Sequence, residues 1–349
     1  MNTLIDAIKN NTYESNSLKL VGNLYIKELC EALKTNSSIT SLDLSGNNLQ
    51  KEGTKLLSEA LKVNESITSL NLRNNGIQEE GTKHLSEALK TNFSITSLNL
   101  SDNFIREEGI RYLSEALQSN NSITELNLNY NNIREGIKYL SEALKTNSSI
   151  TSLDLGNNDI NKEGIEYLSE ALKINSSINS LDLSYNNIKE GMKFLGNALK
   201  VNECITSLNL NDNDIKEGLR YLGVALRYNN SITSLNLQDN DIEDEEIKYL
   251  SKSLKTNSSI TELNLSFNFI NDEGIRYLSE ALKTNSSITS LDLSNNFIND
   301  KGIKYLSEAL KTNSSITSLD LSDNVINDEG VRYLNNALKA NSSITSLEL

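Results

Sequence analysis

The sequence predicts a right-handed α/β solenoid, with parallel strands on its concave face and helices on its convex face. The segment Ser41–Ser45 alternates polar and apolar residues, as a short strand does. Gly53–Lys62 then places its apolar residues on one helical face. A strand followed by a helix, repeated in one direction, gives parallel strands covered by helices. The isoleucine that opens each unit recurs eight times at a spacing of 28 residues and three times at 27, at positions 39, 67, 95, 123, 150, 178, 205, 232, 260, 288, 316 and 344.

Residues 1–38 depart from this repeat and are predicted to form an N-terminal cap. Apolar residues from Leu4 to Ile8 indicate a short amphipathic helix, Leu18–Leu20 an irregular first strand, and Ile26–Leu33 a helix of the repeat type. A cap covers the first unit of a solenoid with a polar outer surface. Residues 39–349 then hold eleven complete units and a partial twelfth, which we expect to form one continuous domain.

Three features inside the units carry structural predictions. Asn47 has an asparagine equivalent in all eleven complete units, so its amide is expected to bond backbone groups where the strand turns away. The units that open at 123, 178 and 205 lack one residue before the helix glycine. We expect their structure to differ from that of the longer units at the loop-to-helix junction. Asn-x-Ser closes almost every unit, as in Asn36–Ser38, and is interpreted as a turn between repeats rather than a glycosylation site.

The unit reads I-x-x-L-x-L-x-x-N-x-I-x-x-x-G-x-x-x-L-x-x-A-L, and it resembles the leucine-rich repeat of the ribonuclease-inhibitor-like subtype over residues 39–349. The same subtype occurs in NOD-like receptors and in Ran GTPase-activating proteins. The resemblance implies a horseshoe-shaped fold and a role in protein binding. It does not specify the partner, since one fold serves many functions.

Composition narrows the class of partner. The formal net charge of −14 argues against nucleic acid or an anionic membrane and is compatible with a basic protein. No run of 18 apolar residues and no secretory signal are visible. Cys30 and Cys204 are too few and too distant for a disulfide framework, which is typical of a reducing compartment. We therefore predict a cytoplasmic protein, in its own cell or, for an effector, in a host cell.

The sequence predicts no enzyme, no cofactor and no metal site. His84 is the only histidine, and no phosphate-binding glycine loop is present. Asp239–Glu243 is similar to the start of a calcium loop, but Asp244 stands where that loop needs glycine. Two alternatives to a plain scaffold stay open. One is a Ran-type GTPase-activating protein, for which Arg73 is a single candidate arginine; the other is a ligand-sensing fragment of a larger NOD-like receptor-type protein.

Candidate binding residues follow from strand alternation, which sends the positions of Ser41, Asp43 and Ser45 to the inner surface. We call these positions the strand face, and those of Gly46 and Asn48 its rim. Together they hold fifteen acidic residues and one base, Arg73, whereas the helix positions of Lys55 and Lys62 hold 21 of the 33 basic residues. The inner surface is therefore expected to be acidic and to attract a basic protein. The structural alternative is that Asp and Asn merely suit a solvated strand surface.

Aromatic residues on the rim, beside acids, have the composition of a binding hot spot. The alternative is that those at the Asn48 position are half-buried for structural reasons. The chain also finishes on a strand, Ile344–Leu349, and an uncovered edge there would allow self-association. The predicted partner-binding residues are Asp43, Arg73, Tyr130, Asp154, Asp182, Tyr185, Asp212, Asp239, Phe267, Phe269, Asp292, Phe297 and Asp320.

Overall fold

The computed structural model describes residues 2–22 and 25–349, and the chain divides into two compact units. The first unit holds the described residues up to Ile160 together with Ile174–Leu181. The second holds Asn161–Lys173 and Asp182–Leu349. That residues 39–349 form one continuous domain stays a prediction.

The first unit alternates three-residue strands with helices. Its strands pair in parallel in chain order, and each central leucine lies opposite the next, as Leu18 does to Leu42. The strands are β1 (Ser17–Lys19), β2 (Ser41–Asp43), β3 (Ser69–Asn71), β4 (Ser97–Asn99), β5 (Glu125–Asn127) and β6 (Ser152–Asp154). The helices are α1 (Asn2–Lys9), α2 (Ile26–Leu33), α3 (Gln50–Leu61), α4 (Gln78–Leu89), α5 (Arg106–Leu117) and α6 (Ile137–Leu144). The helix, strand and helix predicted within residues 1–38 are present, and the first strand is regular rather than irregular.

The second unit repeats the same alternation, so the predicted α/β solenoid class is confirmed in each unit. Strand β7 (Ser180–Asp182) lies at the division, with Asp182 in the second unit. The following strands, β8 to β13, pair in parallel in chain order: Ser207–Asn209, Ser234–Asn236, Glu262–Asn264, Ser290–Asp292, Ser318–Asp320 and Ser346–Glu348. The helices α7 to α13 are Lys162–Leu172, Met192–Leu199, Leu219–Leu226, Asp244–Leu254, Asp272–Leu282, Asp300–Leu310 and Asp328–Leu338.

The core is built from rows of identical aliphatic positions. In the first complete repeat, Ile39, Leu42, Leu44, Leu57 and Leu61 are each at most 1% exposed. The same positions are buried in nearly every later repeat of both units. Each such side chain contributes about 1.5–3 kcal/mol by leaving water. Strand and helix are therefore held together by stacked layers, each repeat packing on its neighbours.

Buried asparagines form a ladder of hydrogen bonds beneath the strand ends. This confirms the prediction made for the Asn47 position. Nδ2 of Asn103 donates to the carbonyl oxygens of Leu72 and Leu100, both at 2.9 Å. Its Oδ1 accepts from the backbone amides of Asn75 at 2.9 Å and Ile77 at 3.3 Å. The buried side-chain amide of Asn103 thus satisfies backbone groups of its own repeat and of the preceding repeat, which water cannot reach.

The Asn-x-Ser turns contain a second ladder. Asn64 is 2% exposed, and its Nδ2 donates to the carbonyl oxygens of Leu33 (2.8 Å) and Asn36 (3.0 Å). Its Oδ1 accepts from the amide of Ile67 at 3.0 Å. The interpretation as repeat-to-repeat turns is confirmed. The nitrogen that a glycan would need is buried and already bonded.

The three short repeats differ from the others at the junction before the helix, as predicted. Short 3-10 turns occupy Arg134–Gly136, Lys189–Gly191 and Lys216–Gly218, and they lead directly into α6, α8 and α9. The missing residue therefore tightens the helix start and leaves the strand positions in line with their neighbours.

Candidate protein-binding surface

The strand face has the alternation that the sequence predicts. In strands such as β2 and β11 the central leucine is buried, whereas the residues on either side of it are half-exposed. The side chains at the Ser41 and Asp43 positions therefore lie on the surface of the sheet. This places the predicted acidic residues of each unit on one face.

The Asp43 position has a structural role that Asp and Asn perform equally. Oδ1 of Asp292 accepts from the backbone amide of Ser294 at 2.9 Å, and Oδ1 of Asn99 accepts from that of Ser101 at 2.9 Å. This side-chain turn ends the strand and needs one oxygen, not a charge. This turn gives the structural alternative a physical cause, but it does not require the negative charge that Asp292 and Asp320 carry.

The first unit contains a base on the strand face that the repeat pattern does not reveal. Lys19 of β1 lies opposite Asp43 of β2, with its Nζ 2.9 Å from the Asp43 carboxylate. Partial burial would raise the pKa of Asp43, but bonds from Ser45 and Lys19 outweigh it and hold the pKa below its ordinary value. Asp43 is thus partly neutralised within the chain.

Three predicted residues of the first unit line one concavity of about 550 Å³, and these are Arg73, Tyr130 and Asp154. Oδ2 of Asp154 accepts from Nδ2 of Asn127 at 2.8 Å. Among the described residues, no carboxylate lies within 4.0 Å of the Arg73 guanidinium. The concavity therefore offers an arginine, a phenol and a carboxylate across four adjacent repeats.

The second unit carries most of the acidic strand face. Every residue of this unit is described, and its strand-face and rim positions hold ten acids and no base. Of these, Asp214 forms an ion pair with Lys189 at 3.1 Å. The helix lysines are instead paired locally, as Lys283 is with Glu280 at 2.6 Å. The ten acids are Asp182, Asp212, Asp214, Asp239, Asp241, Glu262, Asp292, Asp320, Asp323 and Glu348.

Several of these carboxylates repel one another. Burial, followed by the charges of Asp239 and Asp241, raises the pKa of Asp212. Within the described ranges, no three His, Cys, Asp or Glu side chains are arranged to hold a metal ion. Lys189, which pairs with Asp214, and Lys216, which interacts electrostatically with Asp241, offset part of the negative potential in this part of the rim.

An apolar row lies on the rim at the Asn48 position of three consecutive repeats, and we call Phe269, Phe297 and Val325 the Phe row. These side chains are 47%, 54% and 55% exposed, respectively. The Phe269 and Phe297 rings stack with centroids 5.9 Å apart and planes inclined by 9°. Phe267 lies half-exposed on the adjacent rim position. Val325 was not among the predicted residues, although an aliphatic residue at the same position of the next repeat was a usable signal.

The backbone under the Phe row differs from that of earlier repeats. At this position Phe104 and Asp214 have left-handed φ values of 55° and 51°. Phe297 instead donates its amide to the carbonyl oxygen of Ile270 at 2.9 Å, and Phe269 and Val325 make the equivalent bond. The row therefore rests on a second, regular line of backbone bonds between repeats.

An aspartate ladder fixes this loop conformation. Oδ1 of Asp272 accepts from the amides of Asn299 at 3.1 Å and Gly302 at 2.9 Å, both in the next repeat. Asp244 and Asp300 make the equivalent bonds. A carboxylate at a helix N-terminus also interacts favourably with the helix dipole. The side chains of the Phe row are thus carried on a firmly bonded loop.

Three other predicted residues of the second unit lie in different surroundings, and these are Asp182, Tyr185 and Asp239. Tyr185 is half-exposed on the rim, with a left-handed φ of 53°. Oδ2 of Asp182 accepts from Nδ2 of Asn209 at 2.8 Å, and Asp239 is exposed. Asp320 repeats the arrangement of Asp292, with the Ser322 amide at 2.8 Å. Along the rim of the second unit, the acidic repeats with Asp212 and Asp239 therefore lie between Tyr185 and the phenylalanines from Phe267 onward.

A concavity of about 510 Å³ in the second unit was not foreseen, because its cations come from three different repeats. Two of them are paired: Lys189 with Asp214, and Lys216 with Glu243. The remaining cations and rings that line it are Lys162, Lys193, Arg220, Phe194 and Tyr221.

Comparison with known proteins identifies the repeat. The family model described as Leucine Rich repeat matches eleven segments, at residues 35–58, 63–86, 91–114, 119–140, 146–169, 175–195, 201–222, 228–251, 256–279, 284–307 and 312–334. The chain belongs to the leucine-rich repeat family. No curated protein sequence matches this leucine-rich repeat chain. None of the helices described is long and apolar enough to cross a membrane.

A solved internalin structure resembles the fold of this leucine-rich repeat protein. An internalin (InlF) from Listeria monocytogenes is 17% identical, with a TM-score of 0.55, and the match covers 99% of this chain and 94% of the internalin. Actin-binding site 2 of leiomodin-1 is 24% identical, with a TM-score of 0.35, over 36% of this chain and 75% of the other. At 17% identity the likeness to the internalin concerns the fold and not the partner.

Proposed function

We propose that this leucine-rich repeat protein is a non-catalytic scaffold of the ribonuclease-inhibitor-like subtype, and that it binds a basic protein partner in the cytoplasm. The observation that carries the proposal is the strand face and rim of the second unit, with ten acids and no base. Leucine-rich repeat proteins are typically binding scaffolds. The contact residues are those predicted from the sequence, with Val325 added.

Charge on this face is available to a partner. Asp292 and Asp320 each use Oδ1 to accept from a serine amide and hydroxyl, and both side chains are half-exposed on the surface. Neighbouring parallel strands lie about 4.8 Å apart, well within a Debye length of about 8 Å at physiological salt. Carboxylates on adjacent strands therefore add their potentials and steer a cation toward the face.

The first unit supplies a different kind of contact. Arg73, Tyr130 and Asp154 offer a mixed polar site, and Asp43 is partly neutralised by Lys19. We assign the electrostatic attraction to the second unit and a secondary polar contact to the first.

An isosteric charge change tests the proposal. In Asp292→Asn/Asp320→Asn the strand-ending turn is retained, because asparagine makes the same bond elsewhere in the chain. The matched control, Glu280→Gln/Glu308→Gln, removes the same net charge from the helices. Both variants and the wild type are used at 50 and 300 mM salt to capture partners from a lysate, and the captured proteins are identified.

The proposal requires basic partners that are captured at low salt by the wild type and by the helix variant, and that are lost from the strand-face variant. Equal capture by all three proteins would remove the acidic face from the function. Rates of GTP hydrolysis by small GTPases, with wild type and Arg73→Ala, test the GTPase-activator alternative. Sedimentation velocity tests self-association through the β13 edge, which stays a prediction.

A further inference from the structure

We propose that the Phe row holds the apolar side of a cationic amphipathic helix contributed by the partner. This inference rests on the proposed scaffold function and specifies the form of the bound segment. It follows from the spacing of the rings, the apolar surface that they expose and the charges on either side of them.

Ring spacing favours a helix over a strand. The Phe269 and Phe297 centroids are 5.9 Å apart. Residues i and i+4 of an α-helix are separated by about 6.0 Å along its axis, at 1.5 Å per residue. Alternate residues of a strand are separated by about 6.8 Å. A helix lying along the row can therefore place residues i and i+4 on Phe269 and Phe297, whereas alternate residues of a strand are spaced more widely than the two rings.

Exposure shows that no segment among the described residues (2–22 and 25–349) covers this apolar row. Phe269, Phe297 and Val325 are about half-exposed in three adjacent repeats, and Phe267 widens the patch toward the strand face. In the first unit, by contrast, Phe104 is the single aromatic residue at this position. Clustered aromatic and aliphatic side chains within a polar surface are typical of protein-binding sites.

Charge on both sides of the row selects a cationic partner. Asp292, Asp320 and Asp323 lie toward the strand face, and Asp272, Asp300 and Asp328 begin the helices on the other side. Lys301, the second residue of α12, is the base among the first residues of these three helices. An amphipathic helix with Lys or Arg flanking its apolar stripe would meet acids on both edges.

Rigidity lowers the entropy lost on binding. The aspartate ladder bonds the loop backbone of each repeat to the next, and the two phenyl rings are already stacked. Fewer side chains and loops then need to be ordered when a partner docks, which preserves more of the interaction free energy.

Three fluorescein-labelled 18-residue peptides of defined design test the inference. The first is helix-forming, with leucine every three or four residues on one face and lysine and alanine elsewhere. The second has the same composition with leucine and lysine alternating, as in a strand. The third replaces the lysines of the first with glutamate. Fluorescence anisotropy at 100 mM salt gives each Kd for wild type, Phe269→Ser/Phe297→Ser and the control Phe104→Ser, all checked for folding by circular dichroism.

The expected result is that the lysine helix binds the wild type and Phe104→Ser alike, and binds the double variant at least about tenfold more weakly, the loss expected for hot-spot side chains. Phe269→Leu/Phe297→Leu should retain most of the affinity. If the alternating peptide binds as tightly as the helix, or if the double variant binds normally, the helix inference is overturned and the acidic-face proposal stands. If neither lysine peptide binds, both proposals fail.

Discussion

Replacing Asn103 with alanine tests whether the asparagine ladder carries the stability of the repeats. Asn103 is fully buried and bonds backbone of two repeats. Its loss leaves the amides of Asn75 and Ile77 without their acceptor. The carbonyl oxygens of Leu72 and Leu100 are affected less, since each keeps a second donor. Leu72 also accepts from Nδ2 of Asn75, and Leu100 from Nδ2 of Asn131.

The expected cost follows from these two amides. Each buried donor without a partner costs about 1–3 kcal/mol. The bond from Ile77 is long, at 3.3 Å, so its loss belongs at the lower end of this range. The free energy of unfolding should therefore fall by about 2–4 kcal/mol. For a folding unit of about 150–250 residues this corresponds to a decrease in Tm of roughly 4–16 °C.

Urea unfolding followed by circular dichroism measures the change, and hydrogen exchange locates it at the Asn75 and Ile77 amides. The control is Asn121→Ser, which changes an exposed asparagine to the residue that most other repeats have at that turn. Its expected effect is within about 0.5 kcal/mol. A loss below about 1 kcal/mol for Asn103→Ala, or unchanged exchange at the two amides, would refute the assignment of stability to this ladder.

Three further predictions concern single side chains. Asp272→Ala removes the acceptor of two amides in the next repeat, including that of Gly302, and should cost about 1–3 kcal/mol in urea unfolding, with a smaller loss for Asp272→Asn. Burial and neighbouring carboxylates raise the pKa of Asp212, so its ionisation on raising the pH through that pKa destabilises the fold. Asp212→Asn should therefore stabilise the protein at pH 7, by less than about 1 kcal/mol, and not below pH 4; a pH series of thermal unfolding that gave the opposite trend would contradict this. Burial raises the pKa of Cys30 to about 12, so iodoacetamide at pH 8 should label the half-buried Cys204 first, as read by mass spectrometry of the peptides.

Repetition made the scaffold predictable from the sequence. A buried position must satisfy the same constraint in every repeat, so the Asn47 equivalents and the strand leucines stand out as invariant within one chain. The loop-to-helix junction was located for the same reason, since length changes are tolerated where the strand and core positions are not displaced.

The parts that escaped prediction depend on residues outside the repeat pattern or far apart along the chain. Lys19 lies before the first complete repeat, so its ion pair with Asp43 was not visible. The change of loop conformation beneath the Phe row depends on Asp272, which bonds amides 27 and 30 residues further on. Repeats with either conformation can have 28 residues, so length does not distinguish them.

The Asp43 position separates what the fold requires from what a partner can use. Both Asn264 and Asp292 accept from the serine amide two residues ahead, at 2.8 and 2.9 Å. Because the bond is the same, this turn does not select the charge. Asp154 and Asp182 differ, since their second carboxylate oxygen also accepts from the Nδ2 of a neighbouring asparagine. The charge can then change without loss of the scaffold, and the Asp-to-Asn variants of this position isolate electrostatics from folding. If the effect of those variants on binding also disappears at high salt, it reports the partner's own charge.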